Sequence, residues 1–124
     1  MTGRVVHFEI PFDDGERARA FYAEAFGWDV SPMPEMDYTK VSSGPSGDSG
    51  PTEPGFINGG MAQRGESFTA PTVVVDVEDI DAALAKIEGL GGTTLLTRTP
   101  VGDMGFSAYF RDTEGNAIGL WQTA

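Results

Sequence analysis

The sequence predicts an α+β fold made of two βαβββ modules, and three observations support this prediction. The segment TVVVDVED at 72–79 repeats the segment HFEIPFDD at 7–14 with an offset of 72 − 7 = 65 residues. Each copy is followed by apolar residues at the spacing of an amphipathic helix and then by further strand-like segments. The chain closes with two strand-like segments joined by the turn DTEGN at Asp112–Asn116.

The first element is a strand over residues 4–12 (RVVHFEIPF), where β-branched and aromatic residues alternate with polar ones. Alternation places every second side chain on the same face of a sheet. The apolar side chains of this strand are predicted to pack against a helix. His7 and Glu9 are then left on the opposite side, which we call the open face.

The second element is a helix within residues 13–27 (DDGERARAFYAEAFG), whose apolar side chains recur at the i, i+3, i+4 and i+7 spacing of one helix face. Asp13, followed three residues later by Glu16, resembles a capping box. Gly27 supplies the left-handed residue that ends many helices. The same apolar spacing at residues 80–87 predicts the helix of the second module.

Shorter strand-like segments follow each helix. Residues 28–41 predict two short strands around a Pro-containing turn, and residues 56–63 predict a third strand. Between them, the Ser-, Gly- and Pro-rich residues 42–55 predict a loop that is mobile unless a ligand or a second chain covers it. The second module has the segments GTTLLTRT, FSAYFR and AIGLWQ. Pairing across the last turn predicts that Tyr109 lies opposite Gly119 on the open face.

The composition is that of one acidic, globular domain. The chain has 124 residues, with 8 Lys and Arg against 19 Asp and Glu and a net charge of −11. Length and repeat predict a single domain over residues 1–124, with modules at about 4–64 and 71–123. Such a charge disfavours nucleic acid and anionic membranes as partners. Because Cys, a signal segment and a long apolar run are all missing from the sequence, we expect a cytoplasmic protein without disulfides or Cys-ligated metals.

The order of these motifs resembles the vicinal oxygen chelate superfamily, which groups glyoxalase I, the bleomycin resistance proteins and the extradiol dioxygenases. The segments that carry the resemblance cover nearly the whole chain: VVHFEIPFDDGERARAFYAEAFGW, FINGGM, VVVDVEDIDAALAKIEGLGG and YFRDTEGNAIGLWQ. The resemblance implies that the modules form a half-open barrel of the glyoxalase/bleomycin-resistance type. It also implies that the chain pairs with a second copy as a homodimer.

The resemblance further implies where the enzymes of the superfamily hold a divalent metal, namely on the first and last strands of each module. His7 matches the first of these positions. The others fall on Thr72, on Gly119 and on Gly59 or Gly60, which are not usual metal ligands. A catalytic zinc takes three protein ligands, and the non-haem iron triad takes two His and one carboxylate. Since the chain has one His, we expect no bound metal and no other cofactor.

The open face offers aromatic and polar side chains instead, a composition typical of small-molecule sites. The candidate ligand-binding residues are His7, Glu9, Thr72, Tyr109, Trp121, Tyr38, Trp28 and Met61. For the aromatic residues and Met61, the alternative is a place in the core or at a dimer contact. For His7, the alternative is a histidine that is hydrogen-bonded at the sheet surface. If the chain is an enzyme, His7 is the candidate catalytic residue, a general base oriented by Glu9.

Three functions are compatible with this sequence. The leading one is the binding of a small organic molecule without a metal, with sequestration of a toxic or natural-product ligand as its concrete version. The alternative is an enzyme of lyase, isomerase or dioxygenase-like type that uses His7 as a base or recruits a metal through His7 and Glu9. The third is a regulatory or assembly module without a small ligand.

Overall fold

The computed structural model describes residues 2–124 of the protein. Its elements, in chain order, are β1 (Arg4–Phe12), α1 (Gly15–Phe26), β2 (Asp29–Met33), a short 3-10 helix (Pro34–Met36), β3 (Tyr38–Ser42), β4 (Ser46–Gly47), β5 (Gly50–Pro51), β6 (Asn58–Gln63), β7 (Thr72–Asp76), α2 (Ile80–Gly89), β8 (Thr93–Val101), β9 (Gly105–Arg111) and β10 (Ala117–Thr123). The chain divides into two compact units. The first unit holds residues 7–71, and the second unit holds residues 2–6 together with residues 72–124.

In the first unit, four strands form a sheet in the order β2, β3, β6, β1. Strands β1 and β6 run parallel, with Glu9 paired with Gly60 and Ile10 paired with Met61. Strand β3 is antiparallel to both of its neighbours, β2 and β6. Strands β2 and β3 are the two short strands predicted around a Pro-containing turn, and the 3-10 helix is that turn.

Helix α1 is capped by the residue after the predicted one. The carboxylate of Asp14 accepts a hydrogen bond from the backbone N–H of Arg17 at 3.1 Å, so the capping role predicted for Asp13 is wrong. Residue type alone does not separate the two aspartates, because both are good capping residues and they are adjacent. Asp13 instead forms an ion pair with Arg64 at 3.0 Å. Gly27 ends the helix in the left-handed conformation, with φ of 71°, as predicted.

An aromatic cluster links α1 to the sheet of the first unit through ring contacts. The ring of Trp28 stacks on Tyr22 with 5.1 Å between the ring centroids and 6° between the planes. The same indole lies 5.7 Å from the ring of Phe8 and 5.5 Å from the ring of Phe26. Phe8 therefore faces the helix, as the alternation in β1 predicts. We call this side of each sheet, where the helix packs, the helix side.

The predicted loop at residues 42–55 contains secondary structure of its own. It contains the short strands β4 and β5, which pair as an antiparallel ribbon. The side chain of Asn58 holds the segment, because its carbonyl oxygen accepts from the backbone N–H of Ser43 at 3.0 Å and its amide donates to the hydroxyl of Ser46 at 2.8 Å. These bonds come from a residue outside the loop, so the loop's own composition could not reveal them.

In the second unit, four strands form a sheet in the order β7, β10, β9, β8. Strands β7 and β10 are parallel, whereas β9 is antiparallel to β10 and to β8. Phe110 pairs with Ile118, and Tyr109 pairs with Gly119. This register is the one predicted from the turn, because a short hairpin turn fixes which residues lie opposite each other.

The core of the second unit lies between α2 and its sheet. Its buried members are Ile80, Leu84, Ala108 and Leu120. The carboxylate of Asp79 caps the helix by accepting from the backbone N–H of Ala82 at 3.1 Å. The side-chain oxygen of Gln122 accepts from the backbone N–H of Ile80 at 2.8 Å, which ties the first turn of α2 to β10.

Each unit is therefore built as strand, helix and three further sheet strands, and the predicted α+β fold of two βαβββ modules is confirmed. The first unit carries the ribbon of β4 and β5 as an addition. Neither helix in residues 2–124 has the length and apolar character needed to cross a membrane.

Candidate functional site

His7, Tyr38 and Glu9 form a hydrogen-bonded chain on the open face of the first unit. Nε2 of His7 lies 3.0 Å from the hydroxyl oxygen of Tyr38. That hydroxyl donates to Oε2 of Glu9 at 2.9 Å. His7 and Glu9 share a face because they are two residues apart on β1, and Tyr38 reaches them from β3. The structure thus brings together three of the residues singled out from the sequence.

Tyr38 can reach β1 because residue 60 has no side chain. Strand β6 lies between β3 and β1, and its Gly60 pairs with Lys40 on one side and with Glu9 on the other. A Cβ atom at Gly60 would lie 1.7 Å from the hydroxyl oxygen of Tyr38. The phenol ring of Tyr38 therefore occupies the space that any larger residue at position 60 would need.

Glu9 is a buried carboxylate, with 8% of its surface exposed. Carboxylates are rarely buried unless they are paired or hydrogen-bonded, because their desolvation costs several kcal/mol. The hydroxyl of Tyr38 supplies one of the hydrogen bonds that offset this cost. No buried side-chain nitrogen or oxygen atom in residues 2–124 lacks a hydrogen-bond partner. Burying a carboxylate that needs a hydrogen bond from Tyr38 is not explained by hydrophobic packing. We therefore take this face as a candidate site.

The imidazole of His7 is neutral near pH 7. Burial lowers the pKa of His7 below its ordinary value of 6.5, and the negative charge of Glu9 opposes this shift only in part. A neutral imidazole has one nitrogen that donates and one that accepts a hydrogen bond. His7 can therefore accept a hydrogen bond or a proton from a ligand without first losing a proton.

We expect the free energy of unfolding to fall as the pH is lowered from about 8 to about 5, with part of the fall due to His7. Because the pKa of His7 is lower in the folded than in the unfolded chain, the unfolded state binds the proton first. The stabilisation is complete above 6.5 and is lost as the pH falls toward the folded-state pKa. Urea unfolding of the wild type and of His7→Gln, which keeps a donor for Tyr38, measures the contribution. An equally steep fall in both proteins would contradict it.

On the open face of the second unit, Tyr109 lies against Gly119. A Cβ atom at Gly119 would lie 3.1 Å from the ring of Tyr109 and 3.0 Å from the side chain of Val74. Strand pairing places both of these residues beside Gly119. The position at which the resemblance implies a metal-binding carboxylate is thus a glycine beside an aromatic ring.

Trp121 lies on the same face, two residues further along β10. Its indole covers Gly105, where a Cβ atom would lie 2.7 Å from Cζ2 of the ring. Nε1 of Trp121 donates to the hydroxyl of Thr123 at 3.1 Å. Thr72 is committed to the sheet, since its hydroxyl donates to the carbonyl oxygen of Ala117 at 2.5 Å.

Trp28 and Met61 lie on the helix side of the first unit and not beside His7. Trp28 belongs to the aromatic cluster under α1. Met61 is fully buried and pairs with Ile10, two residues after the helix-facing Phe8. Met61 thus occupies a core position and Trp28 packs against other aromatic rings, which matches the alternative to a ligand-binding role.

Sequence reasoning missed the role of Gly60 and the bridging role of Tyr38. Gly60 was noted only as a position without a metal ligand, and Tyr38 only as one aromatic residue among several. Their relation depends on the register between β3 and β6, which pairs Lys40 with Gly60. No short turn joins these strands, so the register has no local signal in the sequence.

The side chains present do not fit the divalent metal that the resemblance implies. In the part of the chain that the structure describes, no three His, Cys, Asp or Glu side chains are grouped so that they could hold a metal ion. Nε2 of His7 and Oε2 of Glu9 are both hydrogen-bonded to the hydroxyl of Tyr38. Two ligands that are already engaged in this way make a weak metal site.

Comparison with known sequences connects the chain to one group of proteins. The family described as bleomycin resistance protein-like N-terminal matches residues 4–44. The Mycobacterium bovis protein named "Putative glyoxylase CFP32" is 30% identical over 120 residues, which cover 92% of this chain and 43% of that protein. The chain thus spans less than half the length of this curated relative.

Comparison with solved structures identifies the same fold. A glyoxalase/bleomycin resistance protein/dioxygenase superfamily member from Vibrio splendidus has a TM-score of 0.64 and 15% identity, over 99% of this chain and 100% of that chain. A Streptomyces coelicolor methylmalonyl-CoA epimerase in complex with 2-nitronate-propionyl-CoA has a TM-score of 0.67 and 16% identity, over 100% and 96%. At these identities, the likeness establishes the fold.

Proposed function

We propose that the chain, a member of the glyoxalase/bleomycin resistance/dioxygenase superfamily, also called the vicinal oxygen chelate superfamily, binds a small organic molecule on the open faces of its units without a chelated metal. Sequestration of that molecule is the concrete form of the proposal. The observation that carries it is the hydroxyl of Tyr38, which lies over Gly60 and bonds both His7 and Glu9. This hydroxyl engages Nε2 of His7 and Oε2 of Glu9, and within residues 2–124 no third His, Cys, Asp or Glu side chain is placed to complete a metal site with them.

The composition of each open face supports this proposal. Small-molecule sites are mainly apolar and aromatic, with a few polar groups that orient the ligand. The second unit offers the rings of Tyr109 and Trp121, each against a glycine of a neighbouring strand. The first unit offers the polar chain of His7, Tyr38 and Glu9.

The two tryptophans of the chain allow a direct test, because Trp28 lies on a helix side and Trp121 on an open face. A thermal-shift screen of planar natural products identifies a binder. At a ligand concentration of about 100 times its Kd, the binder should raise the free energy of unfolding by about 2.7 kcal/mol. The binder is expected to quench the fluorescence of Trp28→Phe, where Trp121 is the reporter. It should leave Trp121→Phe unquenched. The proposal would be contradicted if the binder quenched Trp121→Phe but not Trp28→Phe. It would also be contradicted if the screen found no binder.

The metal-free part of the proposal has its own test. Elemental analysis of protein purified without chelator is expected to show no stoichiometric Ni, Zn, Fe or Mn. One equivalent of any of these metals, lost in His7→Ala, would overturn this part. The fluorescence result would then still decide whether an organic ligand binds.

The second candidate is an enzyme that uses His7 as a general base, and the neutral imidazole favours it. One solved structure with this fold is a methylmalonyl-CoA epimerase, so the fold is compatible with catalysis. A binder from the screen that is chemically converted by the wild type separates the candidates. Loss of this conversion in His7→Gln, with binding retained, would identify His7 as the general base.

The proposal includes a homodimer. The curated relative is more than twice as long as this chain, since 120 aligned residues cover 43% of it. A polypeptide of that length has room for two such domains. Two domains joined in one chain would correspond to two separate copies of this chain paired as a dimer. Sedimentation equilibrium is expected to give twice the mass of one chain, and a monomer at high protein concentration would refute the pairing.

A further inference from the structure

We propose that Tyr38 is a positioning residue that fixes the ring proton of His7 on Nε2 and thereby presents Nδ1 as a hydrogen-bond acceptor. The site then selects neutral ligands that carry an O–H or N–H donor, such as phenols. This inference rests on the proposed function, because it concerns ligands bound at the open face of the first unit. It assigns a role to Tyr38 that differs from packing.

The direction of the hydrogen bonds follows from the acid at one end of the chain. A carboxylate has no proton to donate, so the single hydroxyl proton of Tyr38 is directed to Glu9, 2.9 Å away. The same oxygen is 3.0 Å from Nε2 of His7 and can only accept there. Nε2 must therefore carry the ring proton, and Nδ1 of the neutral ring is left as the acceptor.

The second ring nitrogen is available to a ligand. Within residues 2–124, His7 makes its hydrogen bond through Nε2, and no protein group bonds Nδ1. His7 is only partly buried. A ligand with a hydrogen-bond donor can pair with Nδ1 and binds more tightly. A ligand without a donor leaves Nδ1 unpaired and binds more weakly.

The charge of Glu9 narrows the class of ligand further. The carboxylate lies two residues from His7 on the same face and is buried, so its charge is poorly screened. A ligand carboxylate would meet a like charge there and would have no proton for Nδ1. A neutral phenol satisfies both conditions, and its methyl ether fails the requirement for a donor.

The position of the ring proton can be measured without a ligand, because the chain has one histidine. Long-range proton–nitrogen NMR correlations near neutral pH are expected to place the proton on Nε2 and to show a slowly exchanging Hε2 signal. Tyr38→Phe is expected to lose this signal. Tyr22→Phe, which removes a hydroxyl from the helix-side cluster, is expected to keep it. A proton on Nδ1 of the wild type, a result that needs no variant to fold, overturns the proposal.

Ligand selection is tested with phenol and its methyl ether, anisole. We expect the wild type and Tyr22→Phe to bind phenol about tenfold more tightly than anisole, the effect of one hydrogen bond. In Tyr38→Phe, the two affinities should become nearly equal. If both probes bind the wild type equally, this inference fails and the proposed function stands. If neither binds while a compound from the screen still quenches Trp121, the donor class is wrong. If no compound binds at all, the proposed function itself fails.

Discussion

Gly60→Ala is expected to lower the free energy of unfolding by about 3 kcal/mol. The added Cβ atom would lie 1.7 Å from the hydroxyl oxygen of Tyr38, so the phenol has to move away. Its hydrogen bonds to His7 and Glu9 then break, and the buried carboxylate loses a donor. Urea unfolding near neutral pH measures this loss. The NMR signal of Hε2 should disappear in the same variant.

Two controls test the assigned cause. Gly65→Ala adds a Cβ atom with nothing within 4 Å, and we expect it to change the stability by less than about 0.5 kcal/mol. In a Tyr38→Ala background, the cost of Gly60→Ala should largely vanish, which corresponds to a coupling energy of about 2 kcal/mol. The same cost in both backgrounds would show that Tyr38 is not the group that the added methyl displaces.

Ile80→Ala is expected to destabilise the protein by about 4 kcal/mol. Ile80 is fully buried and packs with Leu84, Ala108 and Leu120 between α2 and the sheet of the second unit. Truncation removes three carbon atoms and leaves a cavity that the surrounding strands cannot close. Chemical unfolding, with a circular dichroism spectrum of the native state, measures the change.

The matched control is Leu90→Ala. Leu90 follows α2 in the same unit but is 70% exposed, so its truncation should cost less than about 1 kcal/mol. Similar costs for the two variants would mean that the cluster around Ile80 is not the core of this unit.

Much of the fold could be predicted because its signals are local. The repeat fixes the order of the elements, and the short turn before Asn116 fixes the register of β9 and β10, including the pair Tyr109 and Gly119. The cap of α1 could be predicted only to within one residue, because Asp13 and Asp14 are equally suitable. The path of residues 42–55 depends on Asn58, which lies outside the loop.

The candidate site could be predicted only in part. Alternation along β1 places His7 and Glu9 on one face, and the structure agrees. The bridge through Tyr38 requires the pairing of β3 with β6, a contact between strands that no short turn connects. Trp28 lies just before β2, and Met61 lies within β6, whose sequence NGGMAQ has no apolar alternation that would fix the face. The structure places both on the helix side.

The fit of the Tyr38 ring over Gly60 also limits how this protein can evolve. Mutation of Gly60 to Glu or Asp would place a chelating carboxylate at this position. The new side chain would collide with the phenol of Tyr38, so the mutation would destabilise the protein before a metal could bind. The tyrosine would have to be replaced by a smaller residue first. Positions 38 and 60 are therefore expected to covary among homologous sequences, with a large aromatic residue at 38 only where 60 is glycine.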